Sequence, residues 1–192
     1  MHHGFDGAEG WAKVFDAADR DAWQKPDAVL DAMALSETSI VADVGAGTGY
    51  FSARLAKRSP KGRVYAADVE ADMVRYLGER AKREGLSTLV PVQSSPDDPK
   101  LPEAVDAVLV VDTLHHIEGR EAYFVKLRDK LRPKGRIYIV DFSADATMGP
   151  PAKHRLSVEA VVGTANKAGL VLVAQQKLPQ QYLLAFGRAD GN

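Results

Sequence analysis

The sequence predicts an α/β protein: an open, mostly parallel β-sheet with helices on both faces, closed by one antiparallel hairpin. Three observations predict it. Short apolar runs at 40–44, 63–67, 105–111 and 135–142 alternate with segments of helical spacing. That is the pattern of buried parallel strands joined by helical crossovers. The first run opens into "VADVGAGTGYFS" (41–52), with glycines at every second position between a strand and a helix. The last two runs, 170–178 and 181–188, are separated only by Pro179–Gln180. Parallel neighbours need a long crossover, so this pair must be antiparallel.

Composition narrows the classes. The chain has 192 residues, 45% of them apolar, which suits one globular domain over 1–192. A net charge of -1 carries no signal for nucleic acid or an acidic membrane surface. With no cysteine, disulfides, thiolate zinc sites and cysteine nucleophiles are excluded. No apolar run approaches the roughly 20 residues of a spanning helix. "MHHGFDGAEG" lacks the apolar centre of a signal peptide, so a cytoplasmic location is expected.

The elements follow in order. Residues 8–35 read as helical, with Pro26 at a first helical position and Val29, Leu30, Met33 and Ala34 at helical spacing. Residues 1–35 precede the first strand and are expected to form a helical cover. A helix runs from about Gly49 to Arg58 and stops at Ser59-Pro60. Another spans 71–84, with Gly85 as its stop. "TLVPV" is a short strand, and "SSPDDPKLPEA" is loop by composition. A helix at about 119–131 ends before Pro133. Ser157 caps a last helix, which Gly169 terminates.

Gly45, Gly47 and Gly49 permit a tight turn and close approach to a ligand, beyond the carboxyl ends of the strands where open α/β sheets bind. Three ligand classes compete. A nucleoside triphosphate loop needs a lysine after its last glycine; Tyr50 and Phe51 stand there instead. A dinucleotide loop needs G-x-G-x-x-G; here Tyr50 fills the third glycine's place. The third class is S-adenosylmethionine, whose anion is a single carboxylate and whose centre is a sulfonium cation.

"VADVGAGTGYFS" resembles the first motif of the class I S-adenosylmethionine-dependent methyltransferases. The resemblance continues through "VYAADVEADMV", "VDAVLVVDTLHHI" and "LRPKGRIYIVDF", in the family's order, over roughly 36–143. It implies a Rossmann-like three-layer αβα fold with a seven-stranded sheet of order 3-2-1-4-5-7-6. It divides the chain into a cover (1–35), a cofactor-binding core (36–143) and a C-terminal helix and hairpin (144–192).

The resemblance also implies the site. Gly45, Ala46, Gly47, Thr48 and Gly49 would wrap the methionine and ribose portions, with Phe51 next to them and Asp43 toward the ammonium end. Asp68 would accept from the ribose hydroxyls, and Val69 and Met73 would face the adenine. The family's usual acid after the third strand is replaced by Ser95, with Asp97 as the alternative contact to the adenine amine. Val111 and Asp112 would stand beside the sulfonium and the incoming nucleophile. His115 and His116 are the candidate proton acceptors, and adjacent helical residues do not share a face. Trp23 with Gln24 would lie at the cofactor or acceptor pocket as part of a lid, whereas Trp11 would pack conventionally. No metal site is expected. The implied activity is in-line methyl transfer to a small-molecule acceptor, leaving S-adenosylhomocysteine. No nucleic acid or membrane partner is expected, and the protein would be a monomer or homodimer. A binding protein without turnover and a nicotinamide-dependent oxidoreductase are the alternatives.

Overall fold

Strand β1 (Ile40–Val44) is hydrogen-bonded on both sides, parallel to β2 (Arg63–Asp68) and to β4 (Val105–Val111). Such a strand touches helices on both faces, so both sets of alternating side chains must be apolar. That is why Val41 through Val44 are all buried and the run does not alternate. The computed structural model describes residues 7–17 and 19–191. Residues 1–6, the start of the expected cover, lie outside it.

The remaining strands are β3 (Leu89–Gln93), β5 (Leu131–Phe142), β6 (Leu170–Lys177) and β7 (Gln181–Arg188). The sheet order is β3-β2-β1-β4-β5-β7-β6. β7 pairs antiparallel with both β5 and β6, and the three-residue connection from β6 to β7 is too short for a parallel crossover. The chain moves outward from β1 to β3, then returns to place β4 on the other side of β1. The crevice at that reversal is where an open α/β sheet holds its ligand.

Helices α4 (Tyr50–Arg58) and α5 (Ala71–Glu84) cover one face of the sheet together with α3 (Pro26–Ala32). Leu30, Met33, Leu55 and Leu77 pack there on Val64, Leu109, Val140 and Leu183. Helices α6 (Arg120–Asp129) and α7 (Val158–Lys167) cover the other, where Phe124, Leu127 and Val161 meet Val108, Ile139 and Phe186. Ser157 Oγ accepts from the Ala160 N–H at 3.2 Å and starts α7. Among the described residues no helix is long and apolar enough to cross a membrane.

Two boundaries differ from the sequence reading. The expected helical stretch at 8–35 is three helices, α1 (Ala8–Phe15), α2 (Arg20–Gln24) and α3. Lys25 adopts φ 49° between the last two. Pro26 disfavours helical backbone in the residue before it, so the chain bends there and restarts with proline in the first turn. Strand β5 begins at Leu131 rather than Gly135 and contains Pro133. The β4–β5 register shifts at that point, between Val105 and Ala107, and a residue without an N–H is tolerated at such an irregularity.

Candidate active site

The three loop glycines all lie in the left-handed region, at φ +73°, +55° and +89°. At Gly45 the requirement is also steric: a Cβ there would stand 2.1 Å from Thr113 Oγ1. The Gly45 and Ala46 N–H groups donate to the Ala67 carbonyl at 2.9 and 3.1 Å, which ties the turn to β2. Asp68, at the end of β2, accepts from the Gly47 N–H at 2.7 Å and from the Glu70 N–H at 3.0 Å. Its carboxylate therefore shapes the loop as well as facing the crevice.

Asp43 is only 3% exposed and accepts from Ser52 Oγ at 2.5 Å. Burial pushes its carboxyl up to about 6 against that hydrogen bond, and the charge of Asp68 adds to the rise. Burial also raises Asp68, while the backbone N–H groups it accepts from oppose the rise.

The opposite rim is made of side chains from distant segments. Asp112 follows β4 with φ 52°. The Gln181 amide donates to Asp112 Oδ1, and the Gln24 amide donates to Gln181 Oε1. Burial pushes Asp112 up to about 7, and neighbouring Asp141 reinforces this against the nearby Arg20 charge. His115 lies in a 3₁₀ turn (Leu114–His116), with Nδ1 at 2.9 and 3.1 Å from the two oxygens of Asp141. The His115 side chain is 5% exposed, and Asp141 is fully buried. His116 is exposed, its ring tilted against that of His115 at 4.1 Å. The two histidines thus separate in role: one is held in the interior by a carboxylate, the other lies outward.

The N-terminal helices lie across both rims. The Gly7 and Ala8 N–H groups donate to Asp72 Oδ2 at 3.1 and 2.7 Å, fixing the start of α1 to α5. At its other end, Phe15 lies against Gly47, and Asp16 accepts from Thr48 Oγ1 at 3.2 Å and pairs with Arg80 at 3.0 Å. Trp11 stacks on Phe15 at 5.3 Å, so it too belongs to the cover of the glycine loop. In α2, Trp23 stacks on Phe142, the last residue of β5, at 5.9 Å. The two tryptophans thus pack at different places, Trp23 on the end of β5 and Trp11 on Phe15.

The remaining predicted residues differ in their surroundings. Phe51 and Met73 are buried, and Phe51 packs edge-on to Tyr50 at 5.2 Å. Val111 is buried at the end of β4, and Val69 is exposed. Ser95 Oγ donates to Asp97 at 2.9 Å, and Asp97 pairs with Lys126 at 3.3 Å, closing the 94–104 loop on itself and on α6. Sequence reasoning missed Arg20, Phe15, Asp141 and Gln181. Asp141 left a readable signal: like Asp43, Asp68 and Asp112, it is an acid at the end of an apolar strand. Gln181 and Phe15 left none.

The strand order and the glycine loop at the reversal are those of the class I S-adenosylmethionine-dependent methyltransferases. Residues 41–135 match the family described as methyltransferase domain. An uncharacterized methyltransferase of Mycobacterium tuberculosis is 36% identical over 117 residues, covering 60% of this chain and 57% of that protein. The chain thus spans under two thirds of that relative's length. The crystal structure of a SAM-dependent methyltransferase from Aquifex aeolicus superposes with a TM-score of 0.85 at 24% identity, over 94% of this chain and 97% of that one. An O-methyltransferase from neocarzinostatin biosynthesis, solved with S-adenosylhomocysteine and 1,4-dihydroxy-2-naphthoic acid, superposes at 0.75 with 17% identity, over 88% of this chain and 54% of that one.

Proposed function

We propose that the protein transfers a methyl group from S-adenosylmethionine to a small-molecule acceptor. The observation that carries this reading is the acidity of the crevice. Asp43, Asp68, Asp112 and Asp141 stand at or just past the carboxyl ends of four neighbouring strands, all largely withdrawn from water. Buried carboxylates that raise one another's proton affinity favour a ligand bearing positive charge. A sulfonium beside an α-ammonium group supplies it. A dinucleotide would bring a pyrophosphate among the same acids, which argues against the oxidoreductase alternative. The neocarzinostatin enzyme's small aromatic ligand supports the acceptor class by analogy of fold alone.

The residues present fit the cofactor. Asp68 is placed to accept from its ribose, the glycine loop to lie against its backbone-facing side, and Asp43 and Asp112 to face its cationic end. When bound, the cofactor supplies a methyl group activated by departure as a neutral thioether, so no oxyanion hole is required. The protein aligns the acceptor and excludes water, a contribution of about 7–11 kcal/mol in well-oriented systems. The N-terminal helices already close the crevice from above.

His115 is the proton acceptor of this reading. Asp141 takes Nδ1–H, which leaves Nε2 as the basic nitrogen. His115 Nε2 would take up the proton that the acceptor gives up on methylation. Asp141 is a positioning residue that also stabilises the resulting imidazolium.

Calorimetry with S-adenosylmethionine, S-adenosylhomocysteine and NAD, followed by radiolabelled methyl transfer to a metabolite extract, tests the proposal. Binding of the S-adenosyl pair with label transfer is expected. Tight NAD binding without S-adenosyl binding overturns it, and binding without any transfer leaves a cofactor-binding protein.

A further inference from the structure

Arg20 is a largely buried cation beside the crevice acid Asp112 and within electrostatic reach of Asp43. Its side chain is 13% exposed, although it sits on a five-residue helix outside the stretch that matches the methyltransferase family. The guanidinium is built into place. Its plane lies 4.0 Å over the Tyr50 ring, and Arg54 holds the same ring at 4.0 Å. Nη1 donates to the Phe15 carbonyl at 2.6 Å, and Nε donates to Gln24 Oε1 at 3.1 Å. Nη2 stands 3.8 Å from Asp112 Oδ2, close enough for attraction and too long for a hydrogen bond. Tyr50 opens α4 directly after the glycine loop, and Asp112 follows β4, so Arg20 bridges the gap between the β1 and β4 ends.

That gap is where the amino-acid end of the cofactor falls if the ribose is at Asp68, because β1 lies between β2 and β4. An α-amino acid end is a zwitterion. Asp43 and Asp112 suit its ammonium, but a carboxylate placed among four acids needs a cation. Arg20 is at that position, with a planar fork suited to a carboxylate. We infer that Arg20 receives the α-carboxylate of the cofactor's methionyl end, making the N-terminal cover part of the cofactor site. This rests on the function proposed above.

The test compares S-adenosylhomocysteine with 5′-methylthioadenosine, which keeps the adenosine and thioether but lacks the amino-acid end. Calorimetry on the wild type, Arg20→Met and Arg20→Lys reads the affinity ratio of the two ligands. Arg20→Met should weaken S-adenosylhomocysteine by about 10- to 100-fold and leave 5′-methylthioadenosine within a few-fold. Arg20→Lys, which keeps charge but not the fork, should fall between. A loss of fold would weaken both ligands alike and leave the ratio unchanged, as would a purely structural role; an unchanged ratio overturns the inference while the function stands. If the wild type binds no S-adenosylhomocysteine, the function itself fails and the inference with it.

Discussion

The two rims of the crevice are made in different ways. The β1–β2 rim is mostly backbone: three glycines at positive φ, a turn tied to the Ala67 carbonyl, and one carboxylate accepting from the Gly47 N–H. It comes from a single stretch of sequence plus Asp68. The β4–β5–β7 rim is mostly side chain: Gln24, Asp112, His115, Asp141 and Gln181 come from four separate parts of the chain. The difference teaches a division of labour. A common cofactor can be held by backbone geometry that tolerates few changes. A particular acceptor must be met by side chains, which can be exchanged without disturbing the turn.

If that division holds, damage to the His115–Asp141 pair of the second rim should reach turnover without touching cofactor affinity. His115→Gln should lower the methyl-transfer rate by roughly 10²–10⁴-fold, the range for general-base catalysis. S-adenosylhomocysteine binding by calorimetry should be nearly unchanged. A comparable loss in both would erase the distinction between the rims.

Damage to the first rim should do the reverse. Asp68→Ala should weaken cofactor binding by about 1.5–3 kcal/mol. Because the Gly47 and Glu70 N–H groups lose their acceptor, it should also lower the melting temperature. A variant that melts earlier but binds normally would make Asp68 a loop brace only.

The two rims share one property, their raised carboxyls, and pH probes it. Asp43 at about 6 and Asp112 at about 7 hold protons more tightly in the folded protein than in the unfolded chain, so stability without cofactor falls as pH rises from about 4 through 7. A bound cation favours the ionised carboxylates and releases those protons, so affinity for S-adenosylmethionine should rise over the same window. Thermal melts of the wild type and Asp43→Asn at about pH 4 and 8 should diverge by about 2 kcal/mol at the alkaline end, with the variant the more stable. Parallel melting profiles would show that Asp43 ionises freely.

The tryptophans give the smallest and most local contrast. Removing a stacked ring costs about 0.5–1.5 kcal/mol beyond its burial. Trp23→Ala, which bares Phe142, should raise the acceptor's apparent Michaelis constant a few-fold. Trp11→Ala, which loosens Phe15 from Gly47, should act on cofactor affinity instead. Identical kinetic signatures for the two would mean that the cover is one uniform lid.

Much of this was legible before any coordinates. The alternation of runs and helices, the hairpin forced by Pro179–Gln180, and the loop of Gly45, Gly47 and Gly49 are local or periodic signals, and each matches an element found in the structure. A strand buried on both faces must be apolar throughout, and a turn at positive φ selects glycine, so backbone physics writes directly into neighbouring letters. Phe51 and Met73 show where that logic stops. Their apolar character suits a ligand face and a core equally, and only packing placed them inside.

What tertiary structure alone decided is which distant polar residues meet. Nothing in the letters around Gln181 says that it bonds to Asp112, 69 residues earlier, while receiving Gln24, 157 residues away. Nor does "RDAWQ" announce that Arg20 will lie across Tyr50 beside Asp112. A polar side chain costs free energy when buried unpaired, but many partners would satisfy it equally. The fold chooses among them by bringing strand ends and the N-terminal helices to one place, and a contact between residues far apart in sequence leaves no periodicity to read.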